Sequence, residues 1–209
     1  TVKYGSLLYG PLGPCRSVML IAKALGVKLK KKYLDLLMKE QLSPKFIAIN
    51  PQHCIPTLVD GDFKLWESRA ICTYLIGKYG KGRFLVPKRP QILRVAEIDR
   101  LLYFDMGTLY KRFEDYVPDP EKLKSLHEAL RYLEGFLKGH DFAVGNKLTV
   151  ADYVLISSVE TFIESGINIS KYPSIRKWVY RCRTQMKGYE RENAKGAKRF
   201  GSWVKAKLS

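Results

Sequence analysis

Glu67 and Ser68 stand side by side just ahead of the apolar-periodic run Ala70, Ile71, Tyr74 and Leu75. An acid and a hydroxyl at that place mark a helix start, where the positive end of the dipole and unpaired amides face outward. Before them come Ile55-Pro56, then Thr57-Leu58-Val59, Asp60-Gly61-Asp62 and Phe63-Lys64-Leu65. The proline pushes Ile55 toward an extended backbone. The rest reads as strand, tight turn and returning strand. An extended edge beside an exposed helix N-terminus can hold a peptide-like anion: the edge pairs its amides and the helix end takes its carboxylate. Taken singly, these residues have plainer uses. Glu67 and Ser68 could cap a helix, His53 could be a surface histidine, and Asp105 could be a buried acid paired with Arg69.

Other elements must hold this stretch in place. Ser6–Tyr9 is apolar enough for a first strand, and Gly10-Pro11-Leu12-Gly13-Pro14 reads as a loop. Val18, Leu20, Ile21, Ala24 and Leu25 give an amphipathic helix over Cys15–Leu25, with Pro14 near its start and Gly26 as its stop. Lys31–Leu36 reads as a second strand, and Ser43-Pro44 opens a short helix. With the central stretch, the order is β-α-β-α-β-β-α, that of a thioredoxin-like domain over residues 1–80. Residues 81–90, rich in Gly, Lys, Arg and Pro, read as a linker. Beyond it only helical periodicity remains, over 92–113, 121–137, 150–162 and 175–186, so residues 91–209 form an all-helical domain. Thr149 and Asp152 fit a capping box. The basic segment after Gly188 is only weakly periodic, and a last helix and a partly disordered tail both remain open.

The 209 residues are 46% hydrophobic, enough for a substantial core, and no apolar run is long enough to span a bilayer. The N-terminus has no basic-then-apolar signal pattern. Cys15, Cys54, Cys72 and Cys182 show no CxxC spacing and no zinc-like grouping with histidines. Reduced thiols and a cytoplasmic location follow, with no metal. The formal net charge is +17. Without a nucleic-acid module or an aromatic-basic repeat, it reads as a solvated basic surface, so neither nucleic acid nor membrane is expected as a partner, and an interaction module whose basic surface docks acidic partners or membranes is the third-ranked reading.

The strings NPQHCIPTLVD and LWESRAI, with PCRSVMLIAKALGV before them and LYFDMGTLY and LTVAD after, resemble the cytosolic glutathione transferases, the insect delta class most closely. The resemblance runs from about Leu7 to about Met186. It implies an enzyme that joins the thiol of glutathione to hydrophobic electrophiles in detoxification, with glutathione as co-substrate and a homodimer as the assembly. It also implies roles. A cis Pro56 lets Ile55 pair its backbone with the cysteinyl unit. Glu67 faces the amine, Ser68 the γ-glutamyl carboxylate, and Arg69 supports both. His53 and Gln41 meet the glycyl end, and Asp105 reaches the γ-glutamyl region from the helical domain. Tyr9, Leu12, Pro14, Leu36, Tyr110 and Phe113 line the electrophile pocket. The chain is short between Phe113 and Pro120, so that pocket is either open or closed by the tail around Phe200 and Trp203.

Two positions depart from the delta pattern. Leu12 stands where that class carries a serine whose hydroxyl stabilises the glutathione thiolate. A free thiol has a pKa of about 8.5, and lowering it by about two units needs roughly 2.7 kcal/mol. A hydrogen bond to a charged group supplies about 1.5–3 kcal/mol. A weak or substrate-restricted enzyme is therefore expected, with the Tyr9 hydroxyl and the Gly13 amide as candidate donors, and a non-catalytic ligand-binding protein of the same fold as the alternative. Tyr9 also reads as a packing aromatic of the pocket wall. Cys15 falls on the buried side of its helix and is not a nucleophile candidate. Gln41 replaces a more usual histidine, still a donor but not titratable.

Overall fold

The computed structural model describes residues 5–80 and 92–208. Residues 81–90, read as a linker, lie outside the described residues. The first part is a four-stranded mixed sheet in the order β2-β1-β3-β4: β1 (Ser6–Tyr9), β2 (Lys30–Tyr33), β3 (Thr57–Asp60) and β4 (Phe63–Leu65). β1 runs parallel to β2 with Tyr9 opposite Tyr33, and antiparallel to β3 with Leu7 opposite Leu58. The β3–β4 turn is made by Gly61 at φ 66, where a side chain would be strained.

α1 (Gly13–Leu25) ends at Gly26, whose left-handed φ of 72 lets its amide reach back into the last turn. α2 (Pro44–Ile47) is capped by Ser43, whose hydroxyl accepts from the Phe46 amide at 3.3 Å. α3 (Ser68–Tyr79) closes the domain. Strand β2 ends at Tyr33, short of the expected Leu36: the Leu34 amide still donates to the Tyr9 carbonyl at 2.9 Å, but Leu36–Lys39 is already a turn, closed by the Lys39 amide on the Leu36 carbonyl at 3.2 Å.

The helical part comprises α4 (Ile92–Phe104), α5 (Tyr110–Tyr116), α6 (Leu123–Leu137), α7 (Val150–Glu164), α8 (Pro173–Gln185) and α9 (Lys195–Leu208). The run expected as one helix over 92–113 is interrupted: Asp105–Leu109 winds as a wider π turn between α4 and α5. α7 is buried on nearly every side and is the centre of this half. Asp152 fixes its start. The carboxylate accepts from the Thr149 amide at 2.7 Å and hydroxyl at 3.0 Å, from the Ala143 amide and from the Trp178 indole.

The segment after Gly188 is ordered into a second π turn (Glu190–Ala194) and then α9, whose buried Ala197, Gly201 and Val204 face α7. A methyl on Gly201 would lie 2.5 Å from the Glu164 backbone, so the two helices cross as closely as backbones allow. One continuous core runs from Leu7, Val18, Ile21, Leu58, Ile71 and Leu75 into Leu101, Phe113, Leu133, Ile156, Phe162 and Trp178. Among the described residues, no helix is long and apolar enough to cross a membrane.

Candidate active site

The loop before β3 is knitted by Asn50, a buried residue that sequence reasoning left without a role. Its amide donates to the Cys54 carbonyl at 3.0 Å and the Thr57 hydroxyl at 2.9 Å, and its side-chain oxygen accepts from the Gln52 amide at 2.9 Å. These bonds hold His53, exposed, in a left-handed turn at φ 42. They also present Ile55, half-buried, before the cis Ile55-Pro56 bond. The signal for Asn50 was an amide at the mouth of a loop, too common to single out. Gln41 lies in the tight turn Glu40–Leu42, its side-chain oxygen buried with no hydrogen-bond partner among the described residues.

At the start of α3, Glu67 adopts φ 66 and ψ 104 and its side chain makes no capping hydrogen bond. A left-handed non-glycine backbone costs on the order of 1–3 kcal/mol and persists where the surroundings enforce it. So the carboxylate is exposed at the positive end of a helix without serving that helix as a cap. Ser68 is buried beside it, and its hydroxyl oxygen accepts from Arg69 Nη1 at 3.3 Å. Arg69 Nη2 pairs with Asp105 Oδ2 in the π turn of the helical half. Burial pushes the Asp105 carboxyl above the usual range, and the Arg69 guanidinium opposes that shift. Ser68, Arg69 and Asp105 are thus linked as one chain of contacts, with the Asp105 end in the widened turn, and Glu67 stands beside Arg69 in the lining of one groove.

The second cluster is the loop before α1. The Leu12 carbonyl accepts from the amides of Cys15 and Arg16, both at 3.1 Å, and Leu12 is the residue from which α1 starts. Gly13 is pressed against α7 and α5: a methyl there would lie 3.3 Å from both the Ser157 carbonyl and the Tyr110 ring. Cys15 is fully buried, and burial pushes its thiol up to about 12, so it stays protonated and inert. Tyr9 is half-buried with its ring edge-on to Tyr33, centroids 5.8 Å apart.

Leu12 forms one wall of a cavity of about 360 Å³. The other walls are Pro11, Tyr33 to Leu37, and Arg199, Phe200 and Trp203 of α9. Phe200 and Trp203 stack on each other at 5.5 Å and close the cavity from the tail side. Of the residues expected to line an electrophile pocket, Leu12 and Leu36 are in these walls, while Tyr9, Pro14, Tyr110 and Phe113 are not. Tyr110 and Phe113 are core residues, Phe113 stacked on Phe162 at 4.7 Å. Their three-residue spacing marked an apolar helix face but not which neighbour that face meets.

Family profiles described as "Glutathione S-transferase, N-terminal domain" and "Glutathione S-transferase, C-terminal domain" match residues 7–76 and 109–185. A delta-class glutathione transferase of Nilaparvata lugens superposes with a TM-score of 0.92 and 43% identity, over 97% of this chain and 99% of that one. A Bombyx mori glutathione transferase gives 0.91 and 38%, over 97% and 98%. A glutathione transferase homolog from Drosophila mojavensis, solved with bound glutathione, gives 0.89 and 32%, over 98% and 97%. The chain belongs to the glutathione S-transferase family.

This glutathione transferase carries a further organising residue that its sequence does not advertise. Arg16 is fully buried, and it donates to the Pro11 carbonyl at 3.1 Å, the Ser157 carbonyl at 2.8 Å, the Thr161 hydroxyl and the Asn193 side chain. It therefore ties the Leu12 loop to α7 and to the turn before α9. Burial lowers its guanidinium to about 10, still protonated at neutral pH. Gly196 leaves room for it, since a methyl there would lie 2.7 Å from the Arg16 chain. Among the described residues, no group of His, Cys, Asp and Glu side chains could hold a metal ion.

Proposed function

We propose that this chain conjugates the thiol of glutathione to hydrophobic electrophiles, with a turnover limited by Leu12. The observation that carries the reading is Glu67. A carboxylate held on a strained backbone at a helix N-terminus, with no capping bond of its own, is free to receive an ammonium group. In the proposed complex it takes the glutathione amine. Ser68 and the first amides of α3 take the γ-glutamyl carboxylate, and Asp105 acts through Arg69. Ile55 offers its backbone to the cysteinyl unit, while His53 and Gln41 serve the glycyl end. The electrophile occupies the cavity of Leu12, Leu36, Phe200 and Trp203, whose walls are mostly apolar. No covalent intermediate with the protein is needed: positioning and stabilisation of the thiolate suffice.

The thiol end supports the second reading, a glutathione or hydrophobic-ligand carrier. Leu12 brings no donor, leaving the Gly13 amide and the Tyr9 hydroxyl as candidates. The ultraviolet thiolate signal of bound glutathione against pH separates the two readings. A bound thiol ionising below the free value, together with conjugation of a generic nitroaromatic electrophile, supports the enzyme. An unshifted thiol with no conjugation leaves the carrier.

The assembly is proposed to be a homodimer joining the first domain of one subunit, residues 1–80, to the helical domain of the other, residues 91–209. In support, a groove of about 530 Å³ at the start of α3 and along α4, lined by Glu67, Arg69, Ala70, Thr73, Asp99, Leu102, Tyr103 and Met106, exposes the apolar Tyr103 and Met106 beside its polar residues. The four free cysteines fit a reducing, cytoplasmic setting, and detoxification is the proposed role.

A further inference from the structure

Read along the chain, the lysines look like scattered surface charge, but the fold gathers a set of them on one edge. On α9, Lys195, Arg199, Trp203 and Lys207 recur every fourth residue and so share one face, opposite the buried Ala197, Gly201 and Val204. The described helix also carries Lys198 and Lys205 and has no acid. Lys207 Nζ lies 5.4 Å from the Trp203 ring centre, and Arg199 lies 5.3 Å from that of Tyr33 in edge strand β2. That contact brings the strand, with its exposed Lys30, Lys31 and Lys32, alongside the helix.

The second observation is apolar. Leu37 and Met38, in the turn after β2, are 77% and 76% exposed, and Trp203 is 42% exposed. Leu37 and Trp203 stand in walls of the same cavity, so the turn and the helix form one rim. Acids stand near this rim too, outnumbered by the bases. Asp35 accepts from the Leu37 and Met38 amides at 2.9 and 3.3 Å and Glu40 from the Asp35 amide at 2.9 Å, so both keep their charge, while Glu192 is paired with Arg191 and with Lys31, whose charge it offsets.

We infer that this edge docks on an anionic lipid surface, with the cavity mouth of Leu37 and Trp203 turned toward the bilayer. Lysines and an arginine beside a half-exposed tryptophan suit the headgroup layer, and Leu37 and Met38 reach into the acyl boundary. Exposed aliphatic side chains favour lipid over nucleic acid, whose phosphates and base edges offer them nothing. Such contact is peripheral and spans nothing. It would deliver membrane-dissolved molecules to the cavity, and it holds whether or not the chain conjugates glutathione.

The test is sedimentation of the full chain with vesicles of phosphatidylcholine alone and of phosphatidylcholine mixed with phosphatidylserine. Binding to the mixed vesicles only, weakening steeply as salt rises, is expected. K195Q/K207Q should lower that binding by about five-fold per charge removed. M38S should lower it several-fold without altering the salt dependence. Both substitutions change exposed side chains, and an unchanged melting temperature shows that the fold is intact. Equal binding to neutral vesicles, no binding to either kind, or anionic binding indifferent to both variants would overturn the inference. So would retention on duplex DNA in the absence of vesicle binding.

Discussion

The two ends of the proposed glutathione site are built on different principles. At the start of α3, charge is fixed by backbone and by burial: Glu67 is forced into a left-handed conformation, and Asp105 is buried and answered by Arg69. At the start of α1, the backbone is equally fixed, with Gly13 pressed on α7 and Arg16 clasping the loop from behind. Yet the side chain offered there is Leu12, which has nothing to donate. One end keeps its chemistry and its frame, while the other keeps only the frame. On the proposed reading, binding and thiolate activation are separable, and substitutions should move them independently.

The largest effect is expected from D105A. It leaves the Arg69 guanidinium without its acid in a largely buried place, which costs about 3–5 kcal/mol of stability. Thermal melting should show it, and glutathione binding should fall with it. D105N keeps the shape and one acceptor, and should recover part of the stability but not the binding. L12S comes next and sharpens the contrast. A hydroxyl restored at the thiol end supplies about 1.5–3 kcal/mol, and so lowers the bound thiol by one to two units. Turnover at neutral pH should rise while the affinity for glutathione stays within about two-fold. No shift of the bound thiol in L12S would mean the loop does not face the sulfur.

E67G should separate strain from chemistry. Glycine tolerates φ 66, so the variant should gain about 1 kcal/mol of stability, read as a slightly higher melting temperature, while losing the amine contact. The smallest effect is assigned to Y9F. With the Tyr9 ring packed edge-on against Tyr33, removal of the hydroxyl should leave turnover within about two-fold. A loss of ten-fold or more would make Tyr9 the donor that Leu12 is not.

Local signals in the sequence were dependable. The Gly61 turn, the Gly26 stop, the Ser43 cap and the Thr149–Asp152 start each depend on a few adjacent residues, and each stands where its chemistry placed it. What could not be read depends on partners far along the chain. Apolar periodicity runs unbroken through 92–113, and only the pairing of Asp105 with Arg69 marks where the helix widens. Arg16 was given no role from the sequence, because its partners on α7 and in the turn before α9 lie more than a hundred residues away. The tail looked weakly periodic because its buried face is made of small residues, Ala197 and Gly201, chosen by the closeness of α7 rather than by hydrophobicity. At the site, the strand-turn-strand and helix start were legible in order, whereas the walls of the cavity, drawn from three separate segments, were not.

Calorimetric titration of glutathione into the native chain and into E67A tests the account most directly. The native protein should bind, and E67A, with its fold intact by melting temperature, should bind at least ten-fold more weakly, because the amine loses a charged acceptor. Equal affinity for the two proteins, or no heat of binding with the native one, would contradict it.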